Sequence, residues 1–480
     1  MNLLSSAEGL AILTIFGIAM LALVWFKTHD EKHAEGFLVA DRNIPMWHAA
    51  LSIAVSWIWA PAIFICSMQA YTKGLPGIFW FTFPNVLCFF IFTPVAIRLR
   101  KLMPYGFTLP EFIAQRFAGE VRTHLIFLIV FLGYQLGAIV INCLAGGALL
   151  HAVSGLDFSV AVVGMAVIAL SYSLLSGLKA SVFTDVIQML MVLIIAYTLV
   201  PWAVIEAGGI KSVFAGLAGI DHNHGNIFDL KVAFYMGIPM TLGLIAGPLS
   251  DQMFFQRAMA VRPQDIAKTF IWGGILFATV PISLALLGFV AVGLSTSGAI
   301  TVTDPQIVGA LVIGELLPIT ALYAFCFMAF AGLCSTLDSA FCAISSLGSI
   351  DIYKRYFNPA ASDRQILLGS RWFMLVFAAV GVGGALLQPK LLWVFLIYGT
   401  MASSAMVPTV LSIFWKQISG RTAFWAVLLS LLLGTPLSIY ANVVEDADLI
   451  VLSAILSVAV GLIVCLLPLI GGRIKRQVDC

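Results

Sequence analysis

Three carboxylates stand in otherwise apolar stretches of this chain: Asp185, Asp251 and Asp338. A carboxylate inside hydrocarbon is costly and is kept where it faces a partner or a water-filled cavity. Asp338 lies in Ser335-Thr336-Leu337-Asp338-Ser339, far in sequence from any basic residue. Ser335, Asp338 and Ser339 stand at i, i+3 and i+4, so they share one helix face. Hydroxyls and a carboxylate on one face are hard oxygen ligands, suited to a small cation. The alternative is serines bonded back to helix carbonyls, with Asp338 bonded to another helix. Asp185 follows Lys179 closely enough either to pair with it at the interface or to join the cation chemistry. Asp251 can accept N–H donors from a solute. Trp57 and Trp59 offer a stacking or hydrogen-bonding wall for a small ligand, or plain packing. Gln135, Asn142 and Tyr398 are further polar groups in apolar segments. The His222–His224 pair reads as solvated loop, with metal binding as the alternative.

The elements that must position these residues are membrane helices. Of 480 residues, 61% are hydrophobic and only 10% charged, where a soluble domain carries roughly 25% charged residues. The apolar residues come in blocks of about 20, the length that crosses ~30 Å of hydrocarbon as helix. Thirteen spans are expected, at about 7–27, 46–71, 75–98, 123–150, 157–176, 180–205, 232–256, 265–294, 317–350, 365–388, 391–415, 421–442 and 448–470. The block Gly9–Phe26 has no basic segment before it and no small-residue cleavage pattern after it, so it reads as a retained helix. With the N-terminus outside and the C-terminus inside, all but four of the 25 basic residues fall on the inner side; the exceptions are Lys73, Lys211, Lys231 and Lys390. That asymmetry is the one membrane topology follows. The eight Cys are scattered through the chain and read as small core residues. A net charge of +2 argues against a nucleic-acid partner.

Two spans carry helix-breaking signals. In Ser52–Pro61, Pro61 removes the donor for the carbonyl one turn earlier. In Gly243–Gln252, the pair Gly247-Pro248 is expected to do the same. These spans stand five apart, as the first and sixth helices of a five-plus-five core from about 46 to 415. Transporters built on inverted repeats hold their sites at such paired breaks. The expected organisation is an extra helix and loop over 1–45, a first repeat over 46–206 and an external loop over 207–231. A second repeat over 232–415 and two further helices with a short tail over 416–480 complete it.

Four segments together are specific: the broken helix Ser52–Pro61, the run Gly177–Gln188, the stretch Gln256–Ala260, and Ser335-Thr336 followed by Ser345-Ser346 and Asp351–Lys354. On these the chain resembles the sodium:solute symporter family along essentially its whole length. The resemblance implies an all-α inverted-repeat core of the LeuT type. It also implies a sodium site made by the backbone carbonyls of Val55, Ile58 and Gly332 and the hydroxyls of Ser335 and Thr336. Some members have a second sodium site; the matching positions are Asp185, Ser335, Asp338 and Ser339, where the pair of carboxylates would take a second Na⁺ or a proton.

Within the family, Trp57–Ala60, Gly77–Trp80, Asp251, Arg262-Pro263 and Asp351–Pro359 are most similar to the urea-type branch, which includes proton-driven members. The chain differs from the sugar branch at Ala62 and Gly247, and from the urea pattern at Pro61, Ile65 and Gln69. The reading is a Na⁺-coupled symporter in the plasma or bacterial inner membrane. Its solute is urea or a urea-like molecule, with Trp57, Trp59, Gln135, Asp251 and Tyr398 at the solute site. An amino acid or other organic solute is the alternative substrate, and a transporter-like sensor the alternative function. No enzyme constellation, cofactor other than the coupling ion, or obligate protein partner is expected.

Overall fold

A computed structural model describes residues 3–27, 32–118, 120–222 and 225–478. The described chain is almost wholly helical, since a backbone surrounded by lipid must satisfy its polar groups internally. α1 (Ser6–Lys27) turns Ile18, Trp25 and Phe26 outward, as lipid contact requires. The short α2 (Ala34–Val39) leads to α3 (Met46–Ser56), an irregular stretch, a π-helical turn at Pro61–Ile65, and α4 (Cys66–Leu102). The apolar stretch Pro61–Leu102 has 42 residues, about 63 Å at the α-helical rise and roughly twice the hydrocarbon thickness. Gly74, at φ 61° and ψ −145°, interrupts it where the sequence reading sets a connection. A Cβ there would lie 2.3 Å from the Leu217 carbonyl oxygen, so only glycine serves.

α5 (Leu109–Arg116), α6 (Val121–Ser154), α7 (Phe158–Ser176) and α8 (Leu178–Glu206) complete the first half. The region 207–231, expected to be loop throughout, contains α9 (Ile210–Gly216) and the single turn α10 (Leu230–Val232). α9 forms because Val213 is buried and Gly216 lets the helix meet the Phe289 backbone, where a Cβ would overlap the carbonyl. The second half runs through α11 (Ile238–Ser250), α12 (Gln252–Ala260), α13 (Ile266–Thr296), α14 (Val308–Leu316), α15 (Ile319–Ser346), a π-helical extension Leu347–Phe357, α16 (Asp363–Leu386) and α17 (Leu391–Phe414). α18 (Gly420–Val443) and α19 (Ala447–Val478) follow. Among the described residues, twelve helices are long and apolar enough to cross a membrane. His224 of the polar loop and Cys480 lie outside the described residues.

The connections gather at two ends. At one, Arg42 donates to the carbonyls of Tyr105 and Gly106, Ile44 bridges to Val261, Lys179 pairs with Asp41, and Arg116 donates to Lys416 O. At the other, Leu75 N donates to Leu217 O, Ile220 N to Tyr71 O, and Lys390 pairs with Glu445. Each group contains residues that the charge asymmetry assigns to one side. All seven described cysteines are buried and free. At the centre, α15 packs against α3, α6, α8 and α12, and this crossing carries the polar groups.

Candidate solute and cation sites

The first break lies where Pro61 requires it. α3 ends at Ser56, the backbone leaves the helix through Trp57–Trp59, and the chain re-enters helix at Ala60. The freed Ala60 N–H is taken by Asn142 Oδ1 from α6 at 2.9 Å, so Asn142 holds the break. The second break is displaced from its expected place. α11 runs through Gly247-Pro248 to Ser250, and the chain breaks at Asp251, whose backbone is extended at φ −105° and ψ 112°. Pro248 withholds one donor without ending the helix. Asp251 restarts it by capping α12, its Oδ1 accepting from Met253 N at 2.7 Å.

Of the residues expected at the solute site, Trp57, Trp59, Gln135 and Asp251 lie at or beside these breaks, whereas only Trp59 and Tyr398 line the cavity next to the first one. Gln135 Nε2 donates to Asp251 Oδ1 at 2.8 Å. The Trp57 and Trp59 rings meet edge-on at 5.6 Å, and Trp59 lies 5.3 Å from Tyr134. Trp57 is held by its indole N–H, which donates to Asn85 Oδ1 at 3.0 Å. A small cavity beside the first break is lined by Trp59, Tyr134, Gly243, Leu244, Leu396 and Tyr398. Gly247 permits the crowding, because a Cβ there would lie 2.7 Å from Tyr134 Oη and 2.8 Å from the Trp57 ring. Three buried polar atoms of these residues have no hydrogen-bond partner, the donor Trp59 Nε1 and the acceptors Gln135 Oε1 and Asp251 Oδ2; of the three residues, Trp59 lines the cavity. Tyr134 and Asn85 were not singled out from sequence; Tyr134 adjoins Gln135, which was the available signal.

Of the proposed sodium ligands, Thr336, Ile58 and Gly332 meet at the same break. Thr336 Oγ1 lies 3.2 Å from Ser56 O, 3.4 Å from Ile58 O and 3.3 Å from Gly332 O. Ser56 O was not expected from sequence. The Val55 carbonyl accepts from Ile58 N at 2.9 Å, closing the end of α3. Ser335 donates its hydroxyl hydrogen to Asp185 Oδ1 and keeps its oxygen lone pairs for another partner. Neutral carbonyl and hydroxyl oxygens around one point fit a monovalent cation, since a divalent ion would lack charge compensation.

One helix turn away, Asp185 meets Ser335, and Asp338 meets Ser339, the four positions that the resemblance matched to a second cation site; Arg257 lies with them. Arg257, from α12, is fully buried. Its Nη2 lies 3.0 Å from Asp185 Oδ2, 2.6 Å from Ser339 Oγ, 3.0 Å from Ser56 Oγ and 3.4 Å from Ser181 Oγ. Its Nε donates to Ser52 Oγ at 3.1 Å. Asp338 accepts from Ser181 at 2.7 Å and Tyr172 at 2.8 Å. Lys179 pairs with Asp41 at 2.6 Å, so Asp185 takes Arg257 as its cationic partner and not the lysine near it in sequence.

A sequence model of the sodium:solute symporter family matches residues 37–430. The urea-proton symporter DUR3 of Oryza sativa is 27% identical over 86% of this chain and 63% of its own length. The urea active transporter of Saccharomyces cerevisiae is 23% identical over 88% of this chain and 60% of its own. The chain thus spans less than two thirds of these relatives. The sodium/glucose cotransporter of Vibrio parahaemolyticus is 23% identical over 84% of this chain and 79% of its own. The substrate-bound outward-open state of a Na⁺-coupled sialic acid symporter superposes with a TM-score of 0.78 at 20% identity, covering 96% of this chain and 98% of that one. The closed conformation of Mhp1, a nucleobase-cation-symport-1 family transporter, superposes at 0.57 and 12% identity, covering 89% and 93%.

Proposed function

The chain belongs to the sodium:solute symporter family, and from this premise we propose that it imports urea or a urea-like solute, driven by Na⁺, through alternating access. The observation that carries the reading is the set of buried, unpartnered atoms at the breaks. Trp59 Nε1 offers one donor; Gln135 Oε1 and Asp251 Oδ2 offer two acceptors. Urea presents the complement, one carbonyl and two amino groups. Leaving such groups unpaired costs about 1–3 kcal/mol each, so a solute that pairs them gains selectively. A carboxylate solute would face Asp251 unfavourably.

Sodium coupling rests on Thr336, whose hydroxyl sits among the carbonyls of Ser56, Ile58 and Gly332. These belong to α15 and to the first break, so an ion there ties the break to α15. Its departure would release α3, whose end also borders the solute site. That shared border is how ion and solute would move together.

The test is uptake into proteoliposomes. Labelled urea should accumulate with an inward Na⁺ gradient and not with K⁺ alone, and thiourea-like analogues should compete. Asp251→Ala should lower uptake at limiting urea by about 100-fold. Competition by sugars or amino acids without competition by urea would transfer the reading to another organic solute of the family. Uptake driven by a proton gradient alone, unchanged by Na⁺, would remove the sodium part.

A further inference from the structure

We propose that a cavity between the ends of α4, α5 and α17 binds the phosphate of an anionic phospholipid. Its volume is about 550 Å³, inside the ~300–1,000 Å³ range of small-ligand sites. Three cations line it, Arg98 from α4, Arg116 from α5 and Lys416 just after α17, and among the described residues no carboxylate does. Arg116 is half-buried and has one nitrogen engaged: its Nη2 donates to Lys416 O at 2.8 Å and lies 3.5 Å from Trp415 O. Arg98 and Lys416 are exposed, and neither side chain has an ion pair or a hydrogen bond among the described residues. By contrast, Arg42 pairs with Glu35 and Lys179 with Asp41 at the same end of the bundle. Like charges around one space repel one another, and an anion between them reverses the sign of that interaction.

The rest of the lining favours a lipid over a soluble anion. Leu102, Phe112, Phe414 and Trp415 make an apolar side, and Leu102 and Phe414 are exposed at the last residues of α4 and α17. Phe90, Pro94, Arg98 and Leu102 follow one another at four-residue steps along α4, and all are exposed. An outward-facing stripe therefore leads from the hydrocarbon into the cavity. Both helices end their membrane spans here, at the level where headgroups begin and where an indole such as that of Trp415 is at home. The charge asymmetry assigns this end to the cytoplasm, and the cytoplasmic leaflet is the one that carries anionic lipid. Free phosphate would use the cations and none of the apolar side. A lipid phosphate between Arg98, Arg116 and Lys416 would tie the ends of α4 and α5, in the first repeat, to the end of α17, in the second.

Native mass spectrometry of the purified full chain tests this, with phosphatidylglycerol and phosphatidylcholine as the probes. The unaltered chain should retain phosphatidylglycerol in preference to phosphatidylcholine. Arg98→Gln and Lys416→Gln should each lower that preference about five-fold, and together about 25-fold, on the scale of one basic residue at an anionic membrane surface. Both side chains are exposed and unpaired, so the double variant should melt with the unaltered chain in phosphatidylcholine nanodiscs. In phosphatidylglycerol nanodiscs the unaltered chain should melt higher than in phosphatidylcholine, and the double variant should not. Lys101→Gln removes an exposed cation next to the cavity but outside its lining, and should behave as the unaltered chain does. Equal retention of the two lipids by the unaltered chain, or an undiminished preference in the double variant, would overturn the proposal. Displacement of the lipid by millimolar inorganic phosphate or glycerol 3-phosphate would make the cavity a soluble-anion site and overturn it as well.

Discussion

Thr336 has one hydroxyl hydrogen and three carbonyls near it, at 3.2–3.4 Å from Ser56, Gly332 and Ile58. No single donor satisfies three acceptors, which is the chemistry a cation supplies. Thr336→Ala should therefore raise the sodium concentration for half-maximal binding by about 10- to 100-fold, on the scale of a lost charge-assisted contact. Thr336→Ser should restore it to within a few-fold. Equal sodium affinity in all three proteins would place the ion elsewhere. Ser335, Asp338 and Ser339 were legible in sequence, because hydroxyls and carboxylates are rare in apolar runs and their helical spacing puts them on one face; Asp185 stood out only as a carboxylate in an apolar run, and Thr336 and the pairing of Asp185 with Asp338 came from the family resemblance alone. Arg257 was not legible as part of the centre. In sequence it is a basic residue flanking a span, inside the Gln256–Ala260 segment that carries the resemblance but with no role in the cation chemistry assigned to it, and the turn at Asp251 aims α12 so that its guanidinium enters the bundle.

The two broken spans show how far element-scale reading reaches. Pro61 announces the first break because its missing N–H and its ring both oppose a continuous helix. Gly247-Pro248 gives the same signal, yet α11 continues to Ser250. The break falls at Asp251, where the carboxylate caps the next helix and binds Gln135. The cap is local, but the bond from Gln135 is tertiary, and no local pattern displays it. The first break likewise depends on a distant residue: Asn142 accepts the Ala60 N–H at 2.9 Å and donates to its own helix at Ala138 O. Asn142→Ala should leave a buried N–H unpaired and lower stability by about 1–3 kcal/mol. The loss should appear as a lower melting temperature and a weaker sodium affinity, because the carbonyls of Ser56 and Ile58 sit on the loosened segment. Asn142→Leu, which fills the space without an acceptor, should behave like Asn142→Ala. A leucine variant as stable and as tight for sodium as the unaltered chain would show that the break holds itself.

At the scale of the molecule, the charge distribution predicts an orientation. All but four of the 25 basic residues belong to one set of connections when thirteen spans are drawn with the N-terminus outside, and cytoplasmic loops are the ones that hold Lys and Arg. The contacts at the two ends of the bundle respect the same division. Arg42, Arg116 and Lys179 meet the connections near 105, 416 and 41 at one end, whereas Lys390 lies at the other with Glu445. The division depends on Gly74, since reading Pro61–Leu102 as one span would exchange the sides of everything after it. A reporter fused after Cys480 should therefore be cytoplasmic, and one inserted at His222 external. A further reporter at Lys73 tests the Gly74 turn directly, because it must be external if the chain reverses there. A cytoplasmic signal at His222 would move α9 and the whole second half to the opposite side.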